Sequence, residues 1–310
     1  MNLHAFDAFA SLAPAQLAVL AELADERFFP AGARIQQEDT PAREIHYLIE
    51  GEVECRQGGR PVRRLGPRSV VNGLAALATV MRSYEVVALA NTTTLSFTHE
   101  DQIDVFEDNF EILAGVLRSV AGAFIDARAA AGPSGEPQTP PPALPILDHR
   151  LGLVEKITAL RRAAPYDETR LEALAELARG SPELRHTAGK SLWRAGDDSG
   201  WSLAIVSGCV LESSDSGGHA HRLGVGSIAG ALDSMAGRAR GFDATAQTDL
   251  IGLRIEIGTL LDVLEENTDM ALDLLHSMAR DVLALRERVA ARSDRGTARS
   301  CEGMVRSLHG

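Results

Sequence analysis

At 310 residues, with 45% apolar and 24% charged side chains, the chain is long enough for about two globular domains with a true core. Aromatic residues make up only 5%, so that core is aliphatic and rich in alanine. A formal charge of −12 and a pI near 5.2 argue against a nucleic-acid surface, which needs clustered Lys and Arg to meet phosphates.

Leucines 17, 20 and 23, following Ser11 and Pro14, predict a short amphipathic helix from Leu12 to Ala24. Short strands separated by glycine and proline follow at Arg34-Ile35, Ile45 to Ile49, Val53 to Cys55, Pro61 to Leu65, Glu85 to Leu89 and Thr94 to Phe97. Runs of this length with turns between them suggest a small barrel or jelly roll. A helix from about Glu100 to Ala130 closes the unit. The stretch 131–145, AGPSGEPQTPPPALP, has the composition of a linker. Beyond it a helix is expected from about Leu147 to Ala163, another over Glu168 to Arg179, strands between Ser191 and Ile255, and a last helix over Ile257 to Arg292. Ser293 to Gly310 is polar and aperiodic, so a frayed tail is expected.

The two halves are one sequence written twice. RLGPRSVVNGLAALATVMRSYEVVA, from Arg64 to Ala88, returns 158 positions later as RLGVGSIAGALDSMAGRARGFDATA, from Arg222 to Ala246. Upstream, Ala31-Gly32 matches Ala188-Gly189, and Leu48-Ile49-Glu50-Gly51-Glu52-Val53 matches Ile205-Val206-Ser207-Gly208-Cys209-Val210, at an offset of 157. Downstream, Asp104 to Asn109 matches Asp262 to Asn267. The expected domains are therefore 1–130 and 146–292, with the linker 131–145 between them and the tail 293–310 behind.

A helix, a string of short strands, a glycine-flanked cassette ending in arginine, and a closing helix together resemble the cyclic nucleotide-binding domain. The residues that carry the likeness are the Ala-Gly pairs, Gly196-Asp197, Ile49-Glu50-Gly51-Glu52-Val53 and Arg82-Ser83. The tandem arrangement is similar to the regulatory subunit of cyclic-AMP-dependent protein kinase, and each copy to the sensor half of the catabolite-activator family. The resemblance implies a mainly β fold with flanking helices, two jelly rolls (double-stranded β-helices), each closed by a C-terminal helix. It also implies that an arginine and the backbone N–H groups at the start of a short helix hold a cyclic phosphate. The candidate positions are Gly73, Leu74, Arg82 and Ser83 in the first copy, and Gly230, Ala231 and Arg240 in the second. Arg238 could replace Arg240 if the loop slips, but register with Arg82 favours Arg240.

The family's glutamate, which accepts a hydrogen bond from the ribose 2′-hydroxyl, is replaced by Gly73 and Ala231, and the preceding glycine is Asn72 in the first copy and Gly230 in the second. Tyr84 and Phe242 stand where the family has a small residue. Cyclic AMP, cyclic GMP or another cyclic nucleotide is the implied ligand, at reduced affinity. The competing expectation for Arg82 and Arg240 is a structural one: capping the cassette helix or pairing with a carboxylate.

No helix-turn-helix follows either copy, and no Gly-x-Ser-x-Gly, HExxH, P-loop or dinucleotide-binding fingerprint is present, so catalysis has no candidate. The cluster Arg56, Arg60, Arg63, Arg64 and Arg68 is expected to be a solvated hairpin face, and His219 with His221 lacks a third metal ligand. Phe106, Phe110, Leu113, Leu117, Val120 and Phe124, and likewise Ala271, Leu275, Met278, Val282, Leu285 and Val289, alternate four and three apart. That rhythm suggests helix pairing, within the chain, between two chains or both, through helices 106–127 and 271–289. Cys55, Cys209 and Cys301 show neither CxxC spacing nor an even framework, which fits a reducing compartment. The first Lys or Arg is Arg27 and no apolar run approaches the ~20 residues that span a bilayer, so a cytoplasmic protein is expected. A regulatory protein that relays binding to a protein partner, an assembly protein that keeps the barrels as packing units, and a transcriptional regulator are the three readings left open.

Overall fold

The computed structural model describes residues 6, 9, 13–78, 84–132, 148–163, 166–214 and 219–307, with side chains described as far as Val289. In the first half, helix α1 (Pro14–Leu23) starts on a proline whose fixed φ suits a first helical position. Strands β1 (Asp25–Phe29), β2 (Arg34–Gln36), β3 (Glu44–Glu50), β4 (Val53–Gln57), β5 (Arg60–Leu65) and β6 (Val70–Val71) follow, then helix α2 (Gly73–Leu77) and strands β7 (Glu85–Ala88) and β8 (Thr92–Thr98). They form two four-stranded antiparallel sheets, in the orders β1-β8-β3-β6 and β2-β7-β4-β5. Helices α3 (His99–Asp108) and α4 (Phe110–Ala131) close the half.

The second half adds α5 (Leu153–Arg161), packed on α6 (Leu171–Gly180), then repeats the pattern with β9 (Glu183–His186), β10 (Ser191–Trp193), β11 (Trp201–Ser207), β12 (Val210–Ser214), β13 (His219–Leu223) and β14 (Ile228–Ala229). Helix α7 (Ala231–Ala236), β15 (Asp243–Ala246), β16 (Leu250–Glu256), α8 (Ile257–Glu266) and α9 (Thr268–Ser307) complete it. The sheet orders, β9-β16-β11-β14 and β10-β15-β12-β13, are those of the first half, strand for strand. Single hydrogen bonds repeat as well. Ala31 N–H donates to Asn91 Oδ1 at 3.1 Å and Ala188 N–H to Asp249 Oδ1 at 2.9 Å, while Gly32 and Gly189 donate to the carbonyls of Ala88 and Ala246.

Each barrel is closed by its own apolar cluster. Leu48, Val53, Cys55, Leu65, Val71 and Val86 fill the first, with Ile35 and Tyr84 against them; Trp193, Leu203, Ile205, Val210, Ala229, Ala244, Ala246 and Leu250 fill the second. Burying each large aliphatic side chain contributes about 1.5–3 kcal/mol, which is what keeps such short strands together.

The structure departs from the sequence expectation at the helices. Each closing helix is two, broken at Asn109 and Asn267, whose φ values of −139° and −131° leave the helical region. Asn267 Nδ2 donates to the carbonyl of Val263 at 2.9 Å, the local competition with the helix ladder that asparagine offers. Helical backbone also continues to Ser307, where a frayed tail was expected from Ser293. Between Ser293 and Ser307 there is no proline, and a helix already nucleated extends at little cost. Most of the expected linker 131–145 lies outside the described residues.

The chain gathers into two compact units: Met1–Gly115 with Asp126–Gly132 and Leu275–Gly310, and Val116–Ile125 with Pro133–Leu274. Both α4 and α9 are therefore shared out between the units. Along the two apolar stripes Phe106, Leu113, Leu117 and Val120 are buried, as are Ala271, Leu275, Met278, Val282 and Leu285, whereas Phe110, Phe124 and Val289 are partly exposed. Among the described residues no helix is long and apolar enough to cross a membrane.

Candidate functional site

In both units the cassette helix starts after a residue in the left-handed region, Asn72 at φ 65° and Gly230 at φ 69°. That residue lies beside the first residue of a barrel strand, Glu44 or Trp201, and the carbonyl of that strand residue turns toward the cassette. The two units satisfy it by different means.

In the first unit the donor is Asn72, whose Nδ2 lies 3.3 Å from the Glu44 carbonyl and 3.3 Å from Gln36 Oε1. Gly73 and Leu74 open α2 directly after it. A Cβ at Gly73 would come within 2.9 Å of Val70 Cγ1, so the place where the family carries its acid is crowded as well as empty of a carboxylate. Arg82 and Ser83 lie outside the described residues. Tyr84 packs on the first core cluster, and burial raises its phenol pKa, with Glu287 and Cys55 acting in the same direction and Arg286 and Arg63 against it.

In the second unit the donor is Arg240, only 2% exposed. Its Nη1 donates to the Gly230 carbonyl at 2.9 Å and its Nη2 to the Trp201 carbonyl. Its Cζ lies 4.1 Å from the centroid of the Trp193 ring and 5.6 Å from that of Trp201, and the two rings meet edge to face at 5.1 Å. Ser234 Oγ stands within 2.7 Å of the Trp201 carbonyl and 2.9 Å of the Gly230 carbonyl, so hydroxyl and guanidinium converge on the same two acceptors. Among the described residues Arg240 Nε has no hydrogen-bond partner. The backbone is pinned too, since Arg240 N–H donates to Asp197 O at 2.9 Å and its carbonyl accepts from Gly196 N–H at 2.8 Å.

Electrostatics reinforce the contrast. Burial lowers the pKa of the Arg240 guanidinium, while Asp233, Glu212, Asp198 and Asp197 act against that shift and favour the charged form. The second cassette thus holds its cation among carboxylates before any anion arrives. Ala231, the first residue of α7, supplies no acid, and Arg238 lies against Gly122 of α4, its Nη2 3.1 Å from where a Cβ would be.

The remaining sequence candidates fall apart as sites. Arg56 and Arg64 donate to the buried Glu54 at 2.8 and 3.2 Å, whereas Arg60, Arg63 and Arg68 are exposed around the hairpin. His219 and His221 are on β13, and among the described residues no group of three or more His, Cys, Asp or Glu could hold a metal ion. Cys55 and Cys209 are free and buried. The residues that sequence reasoning missed are Asn72 as a donor, Trp193, Trp201, Ser234 and Glu212. The chain's two tryptophans, eight positions apart where aromatics are scarce, were the available signal.

Residues 26–109 match the family model described as cyclic nucleotide-binding domain. Among solved structures the chain is similar to the regulatory domain of Toxoplasma gondii PKA with cAMP, at 15% identity over 90% of this chain and 94% of that one, TM-score 0.35. It is also similar to the regulatory subunit of a cAMP-independent protein kinase A from Trypanosoma brucei, at 15% identity over 86% of each chain, TM-score 0.33. A third likeness is to the N-terminal domain of a transcriptional regulator from Streptomyces coelicolor, at 22% identity over 43% of this chain and 98% of that one, TM-score 0.38. A search of curated proteins found no match. The match to the cyclic nucleotide-binding domain model is thus confined to the first half, and the second half of the chain repeats that segment's strand order and sheet pairing.

Proposed function

We propose that the chain is a non-catalytic regulatory protein of the cytoplasm, in which binding of a cyclic nucleotide is passed to a protein partner through the long helices. One observation carries this reading. In each half the last barrel strand runs directly into the closing helix pair, β8 at Thr98 into α3 and β16 at Glu256 into α8. A ligand that shifts a cassette therefore pulls on the helix pair that leaves the same barrel, which is the mechanical requirement for a relay.

The candidate phosphate position is that of the first copy, Gly73, Leu74, Arg82 and Ser83. Cyclic AMP or cyclic GMP would bind there weakly. Loss of a charged acceptor for the sugar hydroxyl costs about 1.5–3 kcal/mol, roughly ten- to a hundredfold in affinity. Calorimetry of the full chain with cyclic AMP, cyclic GMP and cyclic dinucleotides tests this. Weak saturable heat is expected with one of them; none at millimolar ligand would remove the sensing role.

The commitment of Arg240 to carbonyls of its own unit favours a second reading, an assembly protein in which the barrels serve as packing units. Light scattering with pull-down separates the two: a ligand-independent complex supports assembly, and a ligand-dependent one supports the relay.

A further inference from the structure

Four positions around the cassette change together between the units: Gly230 for Asn72, Ser234 for Ala76, Trp193 for Gln36 and Trp201 for Glu44. In the first unit the asparagine amide serves the Glu44 carbonyl; in the second the arginine guanidinium serves the equivalent carbonyl of Trp201. A Cβ at Gly230 would collide with Arg240 Nη1 and would stand 3.0 Å from its Cζ and 3.1 Å from Trp193. Glycine at 230 is thus what admits the guanidinium, and the tryptophan faces and the serine hydroxyl are what hold it.

We propose that residue 230 is a specificity determinant: with glycine there, Arg240 acts as a built-in ligand that seals the second unit against cyclic phosphates, leaving at most one such site per chain, in the first unit. Asn72 fills the equivalent place with a neutral amide, so among the described residues the Glu44 carbonyl is served without a cation. An anion reaching for Arg240 would have to strip the guanidinium from two carbonyls and an aromatic face, amid Asp197, Asp198, Glu212 and Asp233. The count of one site rests on the sensing role proposed above; the sealing of the second unit does not.

The chain's only two tryptophans both lie beside Arg240, Trp201 also lying 4.6 Å from Arg254 Cζ, so their emission reports this part of the second unit. The experiment measures tryptophan emission and iodide quenching of the full chain, with and without millimolar cyclic AMP, for the wild type, Gly230→Asn and Arg240→Gln. The wild type is expected to be quenched weakly and to keep its emission when cyclic AMP is added. Gly230→Asn, which retains a residue tolerant of the left-handed region and brings its own amide donor, should shift the emission to the red and raise iodide quenching several-fold. Arg240→Gln should shift the emission while the far-ultraviolet dichroism stays folded, which keeps the test decisive if Gly230→Asn does not fold. A saturable change of wild-type emission with cyclic AMP, or unchanged emission in both variants, overturns the proposal. Absence of calorimetric heat in the wild type would remove the sensing role and leave the sealing to stand on the tryptophan results.

Discussion

Arg68 and Gly226 hold the same turn in the two units. Each donates its N–H to the carbonyl of a central barrel strand, Leu48 or Ile205, and each has positive φ, 69° and 84°. Asp39 and Gly196 form a second such pair at 59° and 91°, and Asn72 and Gly230 a third. The first unit thus keeps a left-handed backbone at three places where its repeat uses glycine.

Arg68→Gly is expected to stabilise the first unit by about 0.5–1 kcal/mol, because relief of the left-handed strain outweighs the entropy glycine adds to the unfolded chain. The reverse change, Gly226→Arg, should be strongly destabilising, since a Cβ there would meet the Arg162 carbonyl at 2.8 Å. Urea denaturation followed by far-ultraviolet dichroism checks both.

Asn72→Ala should destabilise the first unit by about 1–2 kcal/mol, by removing the amide that donates to the Glu44 carbonyl and to Gln36 Oε1. The effect is to be measured by thermal denaturation, with tryptophan emission as the control for the second unit.

His46 predicts a pH dependence. It is buried beside Phe29 and Thr94 with Arg27 and Glu44 nearby, and burial, then Arg27, lowers its pKa to about 4. The folded chain therefore keeps the ring neutral where the unfolded chain protonates it near 6.5. Stability is complete above about pH 6.5 and falls as pH drops toward 4, by roughly 3 kcal/mol in all. His46→Gln should flatten that part of the stability curve, as urea midpoints from pH 7.5 to 4 would reveal.

Glu54 titrates in the opposite sense. Hydrogen bonds from Arg56 and then Arg64 outweigh burial and hold its carboxyl below the usual range. Its stabilising effect is present above the ordinary glutamate pKa and is lost as pH falls through the depressed one. Glu54→Gln should lower the melting temperature at pH 7, and the difference from wild type should close at strongly acid pH.

The repeat was legible because left-handed glycines and strand-end apolar residues are local demands, visible without knowing what touches what. Strand β1 was not: Asp25-Glu26-Arg27-Phe28-Phe29 shows no alternation, being mostly exposed and held by backbone pairing to β8. The breaks at Asn109 and Asn267 were hidden because the apolar rhythm runs across them. At the site, register placed Arg240 opposite Arg82, yet no spacing rule says which donor reaches a given carbonyl. That depended on whether a Cβ stands at the position before the cassette helix, a three-dimensional matter.

The sharing of α4 and α9 between the compact units bears on how the protein can be dissected. Severing the chain between Gly132 and Leu151 would give two fragments, each deprived of part of its own packing and burdened with helix that belongs to the other. Such fragments should aggregate when expressed singly and recover native dichroism when co-expressed.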